Sequence, residues 1–256
     1  MTDHLYKYRN FSTRSLVSLE HDKLYFSNPD NFNDPFDCSI RPVYTKGEVE
    51  DFVDDFKYAV MHIQKCTEDI ARQYIEKRFN ENIETLKEEM FQYYKKIVLR
   101  QFGVFCLSAK NNDLLMWGHY ADSHKGFCLE FIKEKDHFFR ESKEVDYPED
   151  NNYPEYDWPK NPDEMMAMSE KIILTKARHW VYEEEWRVIN PPNEMTDSYM
   201  GHERSYAQES LASVIFGMSM PEENRKLIRK ITSDKNIKYK EAIASNNKFK
   251  IEIIDC

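Results

Sequence analysis

Apolar and polar positions alternate in some stretches of the chain and follow helical spacing in others. Short apolar or alternating runs predict strands at residues 5–8, 23–27, 104–108, 127–132, 184–189, 211–216, 238–244 and 248–254. Helical spacing predicts helices at 12–20, 114–120 and 162–178, and a last helix that follows residues 219–222 and ends at about residue 232. The strands are irregularly spaced and no internal repeat is visible. This order predicts an α+β fold whose core is a mixed or antiparallel sheet.

Three of these helices carry capping signals at their predicted starts. Ser12 precedes the first helix, and Asn112 or Asp113 precedes the short helix at 114–120. Ser219 and Glu222 have the spacing of a capping box for the helix that ends near residue 232.

Residues 48–100 carry only helical periodicity. One apolar stripe starts at Val49 and another at Ile83, and no strand pattern interrupts them. We therefore expect residues 1–256 to form a single α+β domain that contains an all-helical insertion of two or three helices at 48–100. Two other stretches are rich in turn formers and are predicted to be loops. Residues 28–37 are predicted to form an ordered loop or a site, and residues 147–163 a long surface loop.

Charge and composition narrow the classes of function. The 36 basic and 46 acidic residues give a net charge of −10, which disfavours broad nucleic-acid binding. No apolar run approaches the roughly 20 residues of a membrane helix, and the N-terminus carries no targeting pattern, so we expect no membrane contact and a cytoplasmic location. The five scattered cysteines favour reduced thiols over a disulfide framework.

The segment from Trp180 to Arg187 has the strongest chemical pattern. If it is a strand, Glu183, Glu185 and Arg187 share one face. That face is either a solvated surface with ion pairs or a site in which two carboxylates have different environments and Arg187 holds one of them in place.

Other polar residues are candidates for binding a substrate. Lys7 and Arg9 share a face of the first strand and could hold an anion, unless both extend to solvent. Asn33 and Asp34 lie in the 28–37 loop, where a rigid Asx turn is the alternative. The further candidates, from the short helix, are Trp117, His119 and Tyr120.

Trp117 and Tyr120 also have the spacing of core residues. His119 and His124 are five positions apart, which does not suit a shared metal, so no metal site is expected.

Several segments together resemble a known bacterial family, the one catalogued as domain of unknown function 2971. The segments that carry the resemblance are Leu5-Tyr-Lys-Tyr-Arg9, Leu24-Tyr-Phe-Ser27, Phe32-Asn-Asp-Pro-Phe-Asp37, Phe105-Cys-Leu-Ser108, Leu115-Met-Trp-Gly-His-Tyr-Ala-Asp122, His124-Lys-Gly126 and Trp180 through Arg187. They occur in this order from residue 5 to about residue 217. The stretch 48–100 carries none of the family pattern, as a variable insertion would.

At the level of fold, the chain also resembles the ADP-ribosyltransferase superfamily. That resemblance implies that NAD is the substrate, that Lys7 and Arg9 take the first-strand binding positions, and that Tyr25 stacks on the nicotinamide ring. Glu185 would be the catalytic glutamate, with Glu183 beside it. The chain has lysine at position 7, where those enzymes have histidine or arginine.

Three functions follow from these patterns. The first is an ADP-ribosyltransferase or NAD glycohydrolase that uses a small nucleotide and, for transfer, a protein or nucleic-acid acceptor, in the manner of a toxin or an antiviral defence effector. The second is a non-catalytic sensor or partner-binding module of a defence system, in which the same charges form a structural network. The third is a metal-dependent nuclease, for which Asp34, Asp37, Glu183 and Glu185 would supply the ligands.

Overall fold

The computed structural model describes residues 3–39, 41–43, 47–97, 99–153, 155–159, 161–191 and 202–256. The strands in these ranges are β1 (His4–Arg9), β2 (Lys23–Phe26), β3 (Arg41–Val43), β4 (Gly103–Ser108), β5 (Phe127–Ile132), β6 (Lys143–Glu144), β7 (Glu155–Asp157), β8 (Glu185–Asn190), β9 (His202–Ser205), β10 (Leu211–Phe216), β11 (Lys238–Ala244) and β12 (Ile251–Asp255). The α-helices are α1 (Thr13–Glu20), α2 (Val49–Gln64), α3 (Glu68–Ile97), α4 (Leu114–Tyr120), α5 (His137–Arg140), α6 (Pro162–Ile173) and α7 (Glu222–Ile231).

Eight strands form one sheet in the order β12-β11-β10-β5-β1-β4-β8-β6. Strands β10 and β11 are parallel, with α7 between them in sequence, and the other neighbours are antiparallel. Two smaller sheets pair β2 with β9 and β3 with β7. The predicted α+β class with a mixed, mostly antiparallel sheet is therefore confirmed.

The large sheet opens between β1 and β4. Strand β1 pairs with β5 along its whole length, and β4 pairs in the same way with β8. Between β1 and β4, however, the register has a single pair, Tyr6 with Ser108. The two halves of the sheet consequently meet at one point and diverge from it, which leaves room between them for a cavity.

Both faces of the sheet are covered by apolar side chains. On one face, aromatic residues of β4, β5 and β10 form a buried cluster with residues of α1, α5 and α7. On the other face, Trp117 of α4 is fully buried and packs edge-on against Tyr8 of β1, with ring centroids 5.2 Å apart. This packing fixes α4 against the strand that borders the opening.

The predicted helices of the 48–100 stretch are α2 and α3. Asn82 interrupts α3 with an extended backbone, φ −165° and ψ 96°, and its side chain accepts hydrogen bonds from the N–H groups of Glu84 and Thr85. The Tyr74 hydroxyl donates a hydrogen bond of 2.6 Å to Glu89 Oε2. In a straight helix, residues 15 positions apart would be separated by about 22 Å. The chain therefore reverses at Asn82. None of the described helices is both long and apolar enough to cross a membrane.

Several local predictions differ from the structure. Strand β7 lies within the predicted 147–163 loop, and β12 starts at Ile251 rather than at residue 248. Helix α7 begins after Pro221 without a side-chain cap, because the N–H of Ser219 donates instead to the carbonyl oxygen of His124, so the predicted capping box does not form. Helix α6 ends at Ile173, and a 3-10 helix, Arg178–Glu183, follows it. Strand β8 starts at Glu185 because Glu184 has a left-handed backbone with φ 39°. The Ser12 and Asp113 caps are confirmed.

We expect Gly126→Ala to destabilise the protein by about 2 kcal/mol or more, because a side chain there overpacks a site built from backbone. A Cβ atom at this position would lie 2.1 Å from the carbonyl oxygen of Arg9 and 2.9 Å from that of Ala121. Chemical denaturation of the two proteins measures the difference. Gly118→Ala is the matched control, because nothing lies within 4 Å of its Cβ position. In the middle of α4 that change should stabilise by about 0.5–1 kcal/mol.

Candidate functional site

A cavity of about 480 Å³ lies where β1 and β4 diverge. We refer to it as the central cavity. Side chains from five parts of the chain line it: β1, the loop at 27–37, β4, α4 and the segment from Lys176 to Arg187. Its walls combine charged groups with the rings of Phe32, Tyr120 and Trp180. The cavity is therefore suited to a ligand that has both a flat ring and polar groups.

The backbone around Glu184 directs two acids into the central cavity. The left-handed conformation of Glu184 turns its own side chain to solvent, and the side chains on either side of it are buried. The hydroxyl of Ser108 donates to the carbonyl oxygen of Glu183 at 2.6 Å, and the N–H of Glu185 donates to the hydroxyl of Tyr147 at 3.0 Å. Glu183, Glu185 and Arg187 therefore lie on one side of the segment, as the alternation in the sequence predicts.

Arg187 is the centre of a buried ion network. Its side chain is 1% exposed, and all five of its N–H donors have an acceptor. It binds both carboxylate oxygens of Asp37, at 3.0 and 2.8 Å, and both of Glu185, at 2.9 Å each. It also donates to the carbonyl oxygen of Ile173 at the end of α6. One guanidinium thereby joins a loop, a strand and a helix end.

Lys176 is the second cation of this network. Its Nζ lies 2.6 Å from Glu183 Oε2, 3.0 Å from Glu185 Oε2 and 3.7 Å from Asp37 Oδ2. Burial disfavours the charged form of Lys176, but Glu185 and Glu183 outweigh it and raise the pKa of Lys176 above its usual value. The ammonium therefore stays charged and bridges the two glutamates.

The two glutamates have opposite pKa shifts although they share this cation. Burial and the charge of Glu185 raise the pKa of Glu183, and the attraction of Lys176 offsets only part of that increase. For Glu185, burial is outweighed by Arg187 and then Lys176, which lower its pKa well below the usual range. Three carboxylates meet two cations in the network, and of the two glutamates Glu183 is the one that more readily holds a proton.

Tyr120 connects Glu183 to the loop at 27–37. Its hydroxyl donates to Glu183 Oε1 at 2.6 Å and accepts from the amide of Asn33 at 3.4 Å. Burial, followed by the charge of Glu183, raises the pKa of Tyr120, so its hydroxyl remains a donor. Glu183 Oε1 is thus held by a neutral group, whereas its Oε2 is held by the Lys176 ammonium.

Lys7 reaches across the opening of the sheet. Its Nζ donates to the carbonyl oxygen of Cys106 on β4 at 2.6 Å and lies 4.8 Å from the ring centroid of Phe105. Burial, with a further contribution from the charge of Arg9, lowers the pKa of Lys7 to about 8. A substantial part of the Lys7 population is neutral in mildly alkaline solution.

The structure brings together most of the residues that the sequence indicates. Those that line the central cavity are Lys7, Asn33, His119, Tyr120, Glu183, Glu185 and Arg187. Asp34 lies beside it, in a second depression with Asn33 and His119.

Three candidates lie away from the lining of the cavity. The guanidinium of Arg9 lies 6.0 Å from the ring centroid of Phe105. Tyr25 is on β2, which pairs with β9 outside the large sheet, and the guanidinium of Arg14 covers its ring at 3.5 Å. Trp117 is fully buried in the core, which agrees with its core spacing in the sequence rather than with a role in binding.

Sequence reasoning misses Lys176, and it gives Asp37 only the roles of a turn residue and of a metal ligand in a nuclease. Asp37 reads as a turn residue, and it does accept a hydrogen bond from the N–H of Cys38, but its carboxylate also pairs with Arg187. Lys176 has no local pattern, because its role depends on burial beside acids seven and nine positions later. A charged residue just before an acidic strand is the only signal for it.

Three of the four carboxylates that a nuclease would need are already paired with cations. Asp37, Glu183 and Glu185 surround Lys176 and Arg187, and Asp34 lies in the second depression. In the described part of the chain, no group of three or more histidine, cysteine or acidic residues is arranged to hold a metal ion. The thiol of Cys106 also lines the central cavity, and burial raises its pKa to about 12, so it is protonated at neutral pH.

Comparison with known proteins assigns no activity. Residues 116–188 match a family described as Protein of unknown function (DUF2971). The matched segment runs from α4 through most of β8, so it contains Tyr120, Lys176, Glu183, Glu185 and Arg187. No curated protein and no solved structure matches the chain.

Replacing Arg187 with methionine should destabilise the protein by about 3–5 kcal/mol, because it leaves Asp37 and Glu185 buried without their main partner. Denaturant unfolding of both proteins checks this expectation. Glu184→Gln is the control: its side chain is exposed and pairs with Lys110, so its effect should stay within about 0.5 kcal/mol. A loss no larger than that of the control would contradict a structural role for the buried network.

The lowered pKa of Lys7 predicts a particular dependence of stability on pH. Between about pH 8 and its usual pKa of 10.5, Lys7 is neutral in the folded protein and charged in the unfolded chain. The unfolded chain then binds more protons, so the free energy of unfolding should gain on the order of 1–3 kcal/mol from this residue as pH rises through the interval. Urea unfolding at pH 7, 8.5 and 10 should show that gain in the wild type relative to Lys7→Met. Parallel pH profiles for the two proteins would exclude it.

Proposed function

We propose that the chain is an enzyme that cleaves the bond between nicotinamide and ribose in NAD or a closely related nucleotide, with Glu183 as its working carboxylate. The observation that carries this proposal is the pair of glutamates in the central cavity, one with a raised pKa and one with a lowered pKa. Glycosidic cleavage commonly uses two carboxylates whose environments give them different pKa values.

The two glutamates are suited to different tasks. Both oxygens of Glu185 are bound by Arg187, and Oε2 also receives Lys176, so Glu185 is a fixed negative charge. Glu183 Oε1 has the Tyr120 hydroxyl as its partner, and a ribose hydroxyl can replace such a neutral donor. The resemblance to ADP-ribosyltransferases points to the second glutamate of the pair as catalytic, whereas the contacts favour the first.

In the proposed reaction the bond between the nicotinamide nitrogen and the ribose C1′ breaks, and its electron pair leaves with neutral nicotinamide. The ribose then develops positive charge, which the negative charge of Glu185 and the carboxylate of Glu183 stabilise. Water, or a hydroxyl or amine of an acceptor, bonds to C1′ and loses a proton. Glu183 takes that proton, because its raised pKa suits a general base.

The cavity walls supply groups that recognise a nucleotide. The rings of Phe32 and Trp180 each have a cation of the ion network 5.0 Å from the centroid, so a flat heterocycle would stack on the opposite face of either ring. Lys7 offers an ammonium to a phosphate. Lys7 stands where the transferase pattern has histidine or arginine, and its Nζ lies at the opening of the sheet. A nucleotide seated between β1 and β4 would thus contact both halves of the sheet.

A non-catalytic binding module is the second candidate, and one observation favours it. Asp37, Lys176, Glu183, Glu185 and Arg187 are all paired with one another, as a purely structural network would be. Under this alternative the central cavity binds its ligand without changing it. The two candidates differ in whether NAD is consumed.

The test is NAD turnover by the purified protein, with and without a cell lysate as a source of acceptors. We expect Glu183→Gln to lower turnover at least about 100-fold, because a general base contributes on the order of 10²–10⁴ in rate. Loss of the carboxylate paired with Lys176 should also lower the melting temperature, so turnover is compared at a temperature at which both proteins are folded. Glu184→Gln, which changes the neighbouring exposed acid, should leave turnover unchanged.

Nicotinamide release without lysate would identify hydrolysis, and a labelled product that appears only with lysate would identify transfer. Binding of NAD without release of nicotinamide would favour the binding module. Absence of both turnover and binding would remove NAD as the substrate.

A further inference from the structure

A second depression, of about 440 Å³, lies next to the central cavity. Five aromatic side chains line it: Phe36, His119, His179, Trp180 and Tyr182. Asp34 contributes a carboxylate to the same lining. We refer to this feature as the aromatic depression.

Asp34 is only 6% exposed, and its two oxygens have different surroundings. Oδ1 accepts a hydrogen bond from the N–H of Phe36 at 2.9 Å. Oδ2 is buried and has no hydrogen-bond donor among the residues that the structure describes. A carboxylate oxygen buried in this way costs free energy unless a donor reaches it. Asp34 is part of the lining, so a rotation of its carboxylate would bring this oxygen to a donor of a ligand in the depression.

The rings that line the depression with Asp34 lie close to one another. The centroid of Tyr182 lies 6.0 Å from that of Trp180 and 6.4 Å from that of His119. Phe36 is 61% exposed, so its ring is available to a ligand. The Lys176 ammonium already lies 5.0 Å from the ring centroid of Trp180, within the range of a cation–π contact.

We propose that the aromatic depression is a binding site for an organic cation, an alkylguanidinium or alkylammonium group of the kind that ends arginine and lysine side chains. Aromatic rings around a carboxylate attract such groups through cation–π contacts and a charge-assisted hydrogen bond to Oδ2. One free carboxylate oxygen is too few for Ca²⁺ or Mg²⁺, each of which takes about six or more oxygen ligands.

The aromatic depression and the central cavity share three lining residues, Asn33, His119 and Trp180. A side chain bound beside Asp34 would therefore approach the cavity that holds Glu183. If the chain transfers a group from a nucleotide, this is where a cationic acceptor side chain would bind. The binding site itself does not rest on that activity, and it is tested without NAD.

Calorimetric titration of the wild-type protein tests the proposal with four probes: methylguanidinium, acetyl-arginine amide, acetyl-lysine amide and the neutral analogue acetyl-citrulline amide. We expect at least one cation to bind at least about tenfold more tightly than acetyl-citrulline amide. Asp34→Asn should reduce that affinity by about tenfold to a hundredfold, the range for loss of a hydrogen bond to a charged group. Glu184→Gln removes the same charge from an exposed neighbouring site and should change the affinity less than about twofold.

Phe36→Leu is a second variant, and it should fold because the side chain is largely exposed. It keeps an apolar group but removes the ring, so we expect a loss of about threefold or more in affinity. Tighter binding of the amino-acid amides than of methylguanidinium would identify a protein side chain as the ligand, and equal binding would identify a small free cation.

The proposal is overturned if no cationic probe binds, or if acetyl-citrulline amide binds as tightly as acetyl-arginine amide. It is also overturned if Asp34→Asn and Phe36→Leu both bind like the wild type, or if Glu184→Gln loses as much affinity as Asp34→Asn. Binding of a cation to a protein that does not consume NAD would support this site and leave the proposed function to its own test.

Discussion

The burial of the Arg187 guanidinium constrains the rest of the structure. A charge removed from water is tolerated only where its donors and its charge are both matched, and Arg187 achieves this with Asp37, Glu185 and the carbonyl oxygen of Ile173. Each of these partners must occupy one place for the network to close. The turn at 34–38, the start of β8 and the end of α6 are therefore positioned by one side chain.

The central cavity exists because side-chain ion pairs take the place of backbone hydrogen bonds between β1 and β4. Continuous hydrogen bonding would close β1 against β4, as it joins β4 to β8, but the ion network and Lys7 occupy the space between the strands. Lys7 supplies the donor that the carbonyl oxygen of Cys106 would otherwise receive from a neighbouring strand. Polar side chains thus replace part of the backbone hydrogen bonding between β1 and β4. In this polar interior, neighbouring acids can have different pKa values.

Local periodicity predicted most of the elements, because strand and helix spacing depend on nearby residues. It also placed Glu183, Glu185 and Arg187 on one side. It did not show whether that side is buried, since an alternating charged strand has the same pattern in either case. The partnership of Asp37 with Arg187 spans 150 positions, and no local signal encodes it. Tyr25 is assigned the nicotinamide-stacking role only from its position in the order of segments. Because β2 pairs with β9, Tyr25 lies outside the large sheet that borders the central cavity.

The reversal at Asn82 bears on how this protein can diversify. Helix α2 and the two halves of α3 pack on one another around Phe52, Phe56 and Ile75, and the same apolar cluster continues into Cys38, Trp158 and Ile173. Side chains of this segment do not line the central cavity. Changes at the turn around Asn82 or on the outer surface of these helices would therefore leave the ion network unchanged, whereas loss of the whole segment would expose Cys38 and Ile173 beside it. Relatives that share the same chemistry can thus differ in the surface that this helical segment presents to other molecules.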